Sequence, residues 1–360
     1  MRRAALALAL SIAACRSSSS PLSRSSETHV APATVGDTGA GNVAAAAAQT
    51  PAAQEPAANN AAPAANNAAP AANNAVPVAA PSGVWQPPSA EALAAMPLAR
   101  RMELSVVPFD DATTAHVRAI FAEGARRGLR GDVFAKLGDS ITESASFLKD
   151  IGHGWYELGP WSRLEPVVRY FRRRSFTGDA ENNSFSRASG SATAGWTTNA
   201  LLAADGHCPV EIELDATHAA FAIMMIGTND AERSTAQVFE RNLRELVSRV
   251  EARKVVLVLS TIPDQLSSEE AGRRGLEINT VIRRVAAENH VPLLDYWAAM
   301  QGLPHHGIDP DNVHPSVYES ANHNVAAGIF TDVALRAGYN VRNLTTLLML
   351  ERLMRTLDLR

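Results

Sequence analysis

The chain has 360 residues, which is enough for one large α/β domain or two smaller domains. All 20 aromatic residues lie at or after Trp85. A segment without aromatic residues has few means of offsetting the entropy lost on folding, about 1–2 kcal/mol per backbone residue. The first 84 residues hold 4 basic and 3 acidic residues, so residues 85–360 hold 29 and 34, a net charge of −5. This balance offers no footprint for nucleic acid, and the composition excludes collagen-like, disulfide-dense and multi-span membrane proteins.

Residues 1–15 have the pattern of an export signal. A basic start, Met1-Arg2-Arg3, precedes an apolar stretch that is too short to span a hydrocarbon layer of about 30 Å. The sequence before Cys15 resembles the lipobox of bacterial lipoproteins, which implies cleavage before Cys15 and lipidation of its thiol. The resemblance implies a protein anchored by that lipid to a membrane of the bacterial cell envelope. Arg16 replaces the Asp that retains some lipoproteins at the inner membrane, which favours the outer membrane or cell surface. An ordinary secreted protein, whose Cys15 is lost or unmodified, is the alternative.

Residues 16–84 are predicted to form a disordered linker. The segment is rich in Ala, Pro, Asn and Ser, and it ends in a seven-residue repeat, Pro-Ala-Ala-Asn-Asn-Ala-Ala. A proline inside a helix costs about 3 kcal/mol, so a coiled coil is excluded despite the period of seven. The repeat places its prolines at Pro56, Pro63, Pro70 and Pro77.

Residues 85–360 are predicted to form one folded domain in which strands alternate with helices. Nearly continuous apolar runs of this length are typical of parallel strands that are buried on both faces. The alternation predicts a three-layer α/β/α fold, in which chemistry collects beyond the carboxyl ends of the strands. The predicted strands are Val133–Leu137, Ala220–Ile226, Val255–Leu259 and Val291–Leu294.

Helices are predicted between and after these strands. One face of apolar residues before the first strand ends near Gly128, and another begins after an N-cap at Ser234 or Thr235. The stretch Leu344–Leu357 has a wide apolar face, for which docking on the domain is expected. Two further helices are predicted over Glu269–Glu288 and Val317–Leu335.

The polar segments that follow the predicted strands contain the groups needed for acyl transfer. A serine hydroxyl, here Ser140, is a weak nucleophile and needs a base, for which His314 is the candidate. Asp311 lies three residues before His314 and can orient its ring. The oxyanion of a tetrahedral intermediate needs hydrogen-bond donors, which the backbone N–H groups of Ser140 and Gly195 and the amide of Asn229 could supply.

Four sequence blocks together resemble the SGNH (GDSL) hydrolase family over about residues 133–330. They are Gly138-Asp139-Ser140, Gly195-Trp196-Thr197-Thr198, Gly227-Thr228-Asn229-Asp230 and Asp311-Asn312-Val313-His314. The resemblance implies Ser140 as nucleophile, His314 and Asp311 as the rest of the triad, and Gly195 and Asn229 as oxyanion donors. It further implies a flavodoxin-like sheet of about five strands, no metal cofactor, and hydrolysis of an acyl ester through an acyl-enzyme. Gly190 is a rival to Gly195.

Each motif also has a simpler interpretation. Ser140 could be only a helix N-cap, and Asn229 and Asp230 could be loop caps. Asp139 is expected to be structural rather than catalytic. A catalytically silent surface-binding module on the same fold is one alternative function. A metal-dependent hydrolase is the other, built on the cluster of His305, His306, Asp309, Asp311 and His314.

The segment Phe147–Arg187 carries eight of the aromatic residues, interleaved with arginines. Aromatic faces stack on sugar rings and arginines pair with carboxylates, so an ester-decorated polysaccharide is one candidate substrate. A small subdomain with its own core and a solvated basic face is the other interpretation. With Cys15 lipidated, Cys208 has no cysteine to pair with and is expected to be packed and inert.

Overall fold

The computed structural model describes residues 83–203, 207–321 and 326–360. The predicted signal with Cys15 and residues 16–82 of the predicted linker lie outside the described residues. In the described part no helix is both long enough and apolar enough to cross a membrane. Trp85, close to the start of the described residues, donates from its indole nitrogen to Asp295 at 2.9 Å.

Four parallel strands form the central sheet, in the order β1-β2-β3-β4. The register aligns Leu137, Met224, Leu259 and Leu293 across the sheet. The apolar runs are buried, as continuous hydrophobicity on both faces requires. The predicted α/β class is therefore confirmed, with small shifts at the ends of the strands. Their bounds are β1 Arg130–Gly138, β2 Ala219–Met225, β3 Val256–Ser260 and β4 Leu293–Leu294.

The described residues hold four strands rather than the expected five. On the free side of β1, Ala192 makes a single parallel bridge to Gly138. Side chains take over the bonds that a longer ladder would form: Ser189 Oγ donates to the Lys136 carbonyl at 2.6 Å, and Glu213 accepts the Gly190 N–H at 3.0 Å. The bridging segment lies between β1 and β2 in the chain, so its place beside β1 follows the flavodoxin-like order.

The helices flank the sheet in packed groups. Helices α8, α10 and α11 contact one another or strands of the sheet, and α13 packs against α2, α6 and α12. The helices are α1 Ala90–Ala94, α2 Leu98–Ser105, α3 Asp111–Arg126, α4 Ser140–Glu143, α5 Lys149–His153, α6 Glu165–Arg172, α7 Thr198–Leu202, α8 Pro209–Thr217, α9 Thr228–Arg233, α10 Ala236–Ala252, α11 Glu269–Glu288, α12 Tyr296–Met300 and α13 Gly338–Thr356.

The predicted helix over Glu269–Glu288 has the predicted bounds, and Thr235 caps α10 by accepting from the Val238 N–H at 3.3 Å. The stretch Leu344–Leu357 docks on the domain as part of α13, which is buried along most of its length.

The predicted helix over Val317–Leu335 is wrong for the described residues of that segment, which hold only a short 3₁₀ turn over Ala334–Arg336. Side chains of α13 bind its backbone instead. Asn340 Nδ2 donates to the Ala326 and Ile329 carbonyls at 2.9 and 2.8 Å, and Asn343 Nδ2 donates to the Ala327 carbonyl at 3.0 Å. These buried amides replace the bonds of a helix.

Candidate active site

Ser140 lies where β1 passes into α4, at the carboxyl end of the sheet. Asp139 forms the N-cap of α4, its Oδ1 accepting from the Ile141 N–H at 3.0 Å, so the chain turns immediately after the strand. A side chain at Gly138 would come within 2.4 Å of Met225 and Thr142 atoms, so only glycine allows this close approach. The turn leaves the Ser140 side chain half-buried at the rim of the sheet.

Ser140, His314 and Asp311 form a continuous chain of hydrogen bonds. Ser140 Oγ lies 2.9 Å from His314 Nε2, and His314 Nδ1 lies 2.6 Å from Asp311 Oδ2. The other oxygen of Asp311 accepts the backbone N–H groups of Val313 and His314, each at 2.9 Å. Because Asp311 only accepts when ionised, His314 carries its proton on Nδ1 and presents Nε2 to the serine hydroxyl.

Two carboxyl groups near Ser140 have opposite pKa shifts. Partial burial opposes ionisation of Asp311, but its hydrogen bonds from Val313 and His314 outweigh burial and hold its pKa below the ordinary value. Burial raises the pKa of Asp139 to about 6, and its Oδ2 accepts no hydrogen bond from the described residues. Asp311 is therefore the carboxylate that is ionised and in contact with the imidazole, while Asp139 caps the turn.

Gly195 and Asn229 are brought to the same rim as Ser140. Glu143 of α4 accepts the Ala194 N–H at 2.7 Å, and Asn229 Nδ2 donates to the Trp196 carbonyl at 3.0 Å. Both contacts flank Gly195, which has a φ of +78° that favours glycine. Asn229 keeps a second amide hydrogen beyond the one that it gives to Trp196.

Gly190 is unsuited to the oxyanion role, because its N–H already donates to Glu213 Oε2 at 3.0 Å. Glu213 is buried and also forms an ion pair with Arg187. Of the two glycines that the sequence offers, Gly195 is the one that lies beside Asn229.

The aromatic residues of Phe147–Arg187 form core rather than a sugar-binding face. Five of the eight are buried, and Trp155, at 66% exposed, is the large apolar side chain of this segment that faces solvent. Two of the arginines, Arg173 and Arg174, form ion pairs with Asp132 of β1, at 3.0 and 2.9 Å. The interpretation as a small subdomain fits these contacts. The buried members are Phe147, Trp161, Tyr170, Phe171 and Phe185.

The histidines of the predicted metal cluster have separate partners. His305 Nε2 lies 3.2 Å from Asn312 Oδ1, and His306 Nδ1 lies 2.8 Å from Asp264 Oδ2. Within the described ranges, no three His, Cys, Asp or Glu side chains gather as a metal would require. Cys208 is buried, as expected for a packed cysteine.

Arg342 is a residue at this site that sequence reasoning missed. It is 2% exposed, lies on α13, and donates to the Ile141 carbonyl and to Thr142 Oγ1 at 2.6 and 2.8 Å. Its guanidinium carbon lies 3.6 Å from the centre of the Phe147 ring. The signal in the sequence was a polar run, Asn340-Val341-Arg342-Asn343, directly before a wide apolar helical face.

Several solved structures are similar to this chain. Similar solved structures include a GDSL-like lipase from Bacteroides thetaiotaomicron, with 15% identity, a TM-score of 0.39, and coverage of 66% of this chain and 98% of that chain. A lipase/acylhydrolase from Enterococcus faecalis has 18% identity, a TM-score of 0.38, and coverage of 62% and 95%. An acetylxylan esterase from Geobacillus stearothermophilus has 16% identity, a TM-score of 0.39, and coverage of 63% and 94%.

No curated protein sequence matches the chain. The model of the GDSL-like lipase/acylhydrolase family matches residues 137–318, just over half of the sequence, and this span contains all four motif blocks. The chain belongs to the GDSL-like lipase/acylhydrolase family and is a carboxylic ester hydrolase.

Proposed function

We propose that this hydrolase is a serine esterase that works through a covalent acyl-enzyme. Ser140 is the nucleophile, His314 the general base and then the general acid, and Asp311 the group that fixes the His314 tautomer. The observation that carries the proposal is the hydrogen-bond chain from Ser140 Oγ through the His314 ring to Asp311, with distances of 2.9 and 2.6 Å.

In acylation, Ser140 Oγ bonds to the ester carbonyl carbon while its proton passes to His314 Nε2. The oxyanion that forms is held by the backbone N–H groups of Ser140 and Gly195 and by the free amide hydrogen of Asn229. The imidazolium then gives its proton to the leaving alkoxide, and the acyl group remains on Ser140. Water, deprotonated by the same ring, releases the acid and restores the serine.

The substrates that we propose are small acyl esters, including O-acetyl esters on carbohydrate. The His314 and Asp311 side chains are 38% and 49% exposed, so a bulky alcohol can extend into solvent. A series of p-nitrophenyl esters of increasing acyl length tests the acyl group, and release of acetate from acetylated xylan tests the alcohol. Activity that rises with acyl length would contradict the preference for small acyl groups.

The decisive experiment is labelling with a fluorophosphonate, which reacts with an activated serine. The adduct is expected on Ser140. Ser140→Ala and His314→Ala are each expected to abolish ester hydrolysis, and the double variant to be little worse, because triad members act as a unit. Labelling of a different serine in Ser140→Ala would overturn the assignment.

Labelling together with activity assays, with and without EDTA, decides between this proposal and the two alternatives. A folded protein that neither labels nor hydrolyses any ester would be a silent binding module. A metal-dependent hydrolase would lose activity in EDTA and regain it with zinc. We expect EDTA to have no effect, since the proposed steps use only protein groups.

We also propose that the protein is exported and held at the bacterial cell envelope by a lipid on Cys15, with residues 16–84 as a tether. The support is the sequence alone: a short apolar signal that ends at a lipobox-like cysteine. Palmitate incorporation in cells is expected for the wild type and not for Cys15→Ser. Incorporation that persists without Cys15 would contradict the lipid anchor.

A further inference from the structure

Asp230 is a buried carboxylate that binds one residue from a distant part of the chain. It is 1% exposed, and both of its oxygens serve Thr198: Oδ2 accepts the Thr198 N–H at 2.9 Å, and Oδ1 accepts the hydroxyl at 2.6 Å. Asn242 Nδ2 donates to the same hydroxyl oxygen at 3.1 Å. Because Asn242 supplies a hydrogen to Thr198 Oγ1, the hydroxyl's own hydrogen is directed to Asp230.

Asp230 is the acceptor in its hydrogen bonds with both the N–H and the hydroxyl of Thr198. Burial raises its pKa, and the two hydrogen bonds from Thr198 oppose that effect. Breaking the hydrogen bonds of a buried carboxylate is costly, so this contact fixes the position of Thr198 relative to α9.

Thr198 is the last residue of the Gly195–Thr198 segment. Two other residues of α9 also bind this segment. Asn229 Nδ2 donates to the Trp196 carbonyl, and Arg233 Nη1 donates to the Gly195 carbonyl, each at 3.0 Å. The Arg233 contact is exposed and the Asn229 contact is half-buried, whereas the Asp230 contact is buried. Asp230 therefore provides the contact that water competes for least.

We propose that Asp230 is a positioning residue for the oxyanion hole, which holds the Gly195–Thr198 segment so that the Gly195 N–H and the Asn229 amide converge on one point. The inference rests on the proposed function, because it concerns the donors assigned there. Asp230 does not touch the substrate; it acts through Thr198.

The test is a double-mutant cycle between Asp230 and Asn229, with kcat and KM measured for one activated ester. Asn229→Ala is expected to lower kcat by about 10²–10³-fold. Asp230→Asn keeps one acceptor oxygen but puts an NH₂ group beside Thr198, and it is expected to lower kcat by about 10–100-fold with KM little changed. In the double variant most of the Asp230→Asn effect should disappear, since the oxyanion hole is already impaired.

Thr198 supplies a matched pair that disturbs the core less. Thr198→Val is isosteric and loses the hydroxyl, so it should reproduce the Asp230→Asn loss of kcat. Thr198→Ser keeps the hydroxyl, so it should retain near wild-type kcat. Asp132→Asn is the control for loss of a buried carboxylate, because Asp132 lies near the amino end of β1 and contacts Arg173 and Arg174. It should change thermal stability and leave kcat unchanged.

The outcomes separate this inference from the function on which it rests. If Asn229→Ala has near wild-type kcat, the proposed oxyanion hole is wrong. A second outcome is that Asn229→Ala is impaired, but Asp230→Asn and Thr198→Val lower kcat by the same factor in the Asn229→Ala background as in the wild type. In that case Asp230 is only structural and the inference is overturned. Asp230 is likewise only structural if Asp230→Asn and Thr198→Val both lower stability but leave kcat intact.

Discussion

Arg342 Nη1 lies 2.6 Å from the carbonyl oxygen of Ile141, so the C-terminal helix holds the turn that carries the candidate nucleophile. The guanidinium is buried, and burial lowers its pKa to about 10, so it remains charged at neutral pH. Its fork geometry lets it bind the Ile141 carbonyl and Thr142 Oγ1 at the same time. The family model ends at residue 318, so this contact comes from outside the matched span.

Arg342→Met is expected to lower both stability and turnover. It leaves Thr142 Oγ1 without its donor, at about 1–3 kcal/mol of unfolding free energy, and leaves the Ile141 carbonyl with only the longer hydrogen bond from the Tyr339 hydroxyl, at 3.3 Å. The turn of Ser140 also loses its support, so kcat should fall more than KM changes. Arg342→Lys keeps the charge but not the fork, and it should lie between wild type and Arg342→Met.

The control for Arg342 is Arg352→Met on the same helix. Arg352 Nη1 donates to the Val106 carbonyl at 3.0 Å, away from α4. This variant should lose stability with kcat unchanged, as measured by thermal unfolding and steady-state kinetics. Equal loss of kcat in both variants would show that α13 acts only through global stability.

Lys136 makes the stability of the protein depend on pH above neutrality. The side chain is 3% exposed in β1, its Nζ donates to the Phe185 carbonyl at 2.7 Å, and burial lowers its pKa to about 7. Between that value and the ordinary lysine pKa of 10.5, the unfolded chain binds the proton that the folded chain has lost. Stability from this group therefore rises as pH increases from about 7 towards 10.5.

Lys136→Met should remove this dependence. Denaturant unfolding of wild type and variant at several pH values should give a difference in free energy that favours the variant at pH 7 and shrinks as pH rises. Lys254→Met, at a partly exposed position that is not among the charges acting on Lys136, should run parallel to wild type. A constant difference between wild type and Lys136→Met across this range would contradict the buried-charge interpretation.

The sequence predicted the strands and the candidate triad because both leave local signals. A buried parallel strand is a continuous apolar run, and Ser140, His314 and Asp311 each lie in a motif beside such a run or its following loop. The region after Pro315 left no comparable signal. Its backbone is bound by Asn340 and Asn343 from another element, and a period of apolar residues cannot show such long-range bonds.

Long-range contacts also explain the other differences between the sequence predictions and the structure. The fifth strand is implied by the family resemblance and not by an apolar run. At the edge beside β1 the side chains of Ser189 and Glu213 take the backbone hydrogen bonds, and one bridge forms instead of a strand. The aromatic residues of the insertion have the composition of a sugar-binding face, and only their burial shows that they are core. Arg342 contacts a residue 201 positions earlier in the chain, and no spacing rule covers that distance.

Alanine substitutions can distinguish Gly195 from Gly190 as the oxyanion donor. At Gly195 the φ of +78° strains any L-residue, by about 1–2 kcal/mol, and Gly195→Ala should move the N–H that is proposed to face the oxyanion. We expect kcat to fall by about 10–100-fold. Gly190→Ala meets only ordinary contact with Glu213, at 3.6 Å, and should keep near wild-type kcat. A reversed order of effects would assign the donor to Gly190.

Asp311→Asn tests how far a largely exposed carboxylate supports His314. An asparagine can still accept the backbone N–H groups of Val313 and His314 through its oxygen, so the loop should fold normally. Its NH₂ group would then face His314 Nδ1 and favour the tautomer that points a hydrogen at Ser140. A buried triad aspartate treated this way loses about 10⁴-fold in kcat. Because the Asp311 side chain is 49% exposed, water competes for the ring, and we expect a smaller loss of kcat.

A neighbouring carboxylate supplies the control for this prediction. Asp309→Asn, two residues away on the same loop, should keep more kcat than Asp311→Asn, because the Asp309 carboxylate acts on His314 through charge alone and its backbone N–H still donates to the His314 carbonyl at 2.8 Å. The pKa of Asp311 is held below its ordinary value, so the wild-type carboxylate stays ionised throughout the neutral range in which kcat is compared. Near wild-type kcat in Asp311→Asn would leave Ser140 and His314 as a dyad.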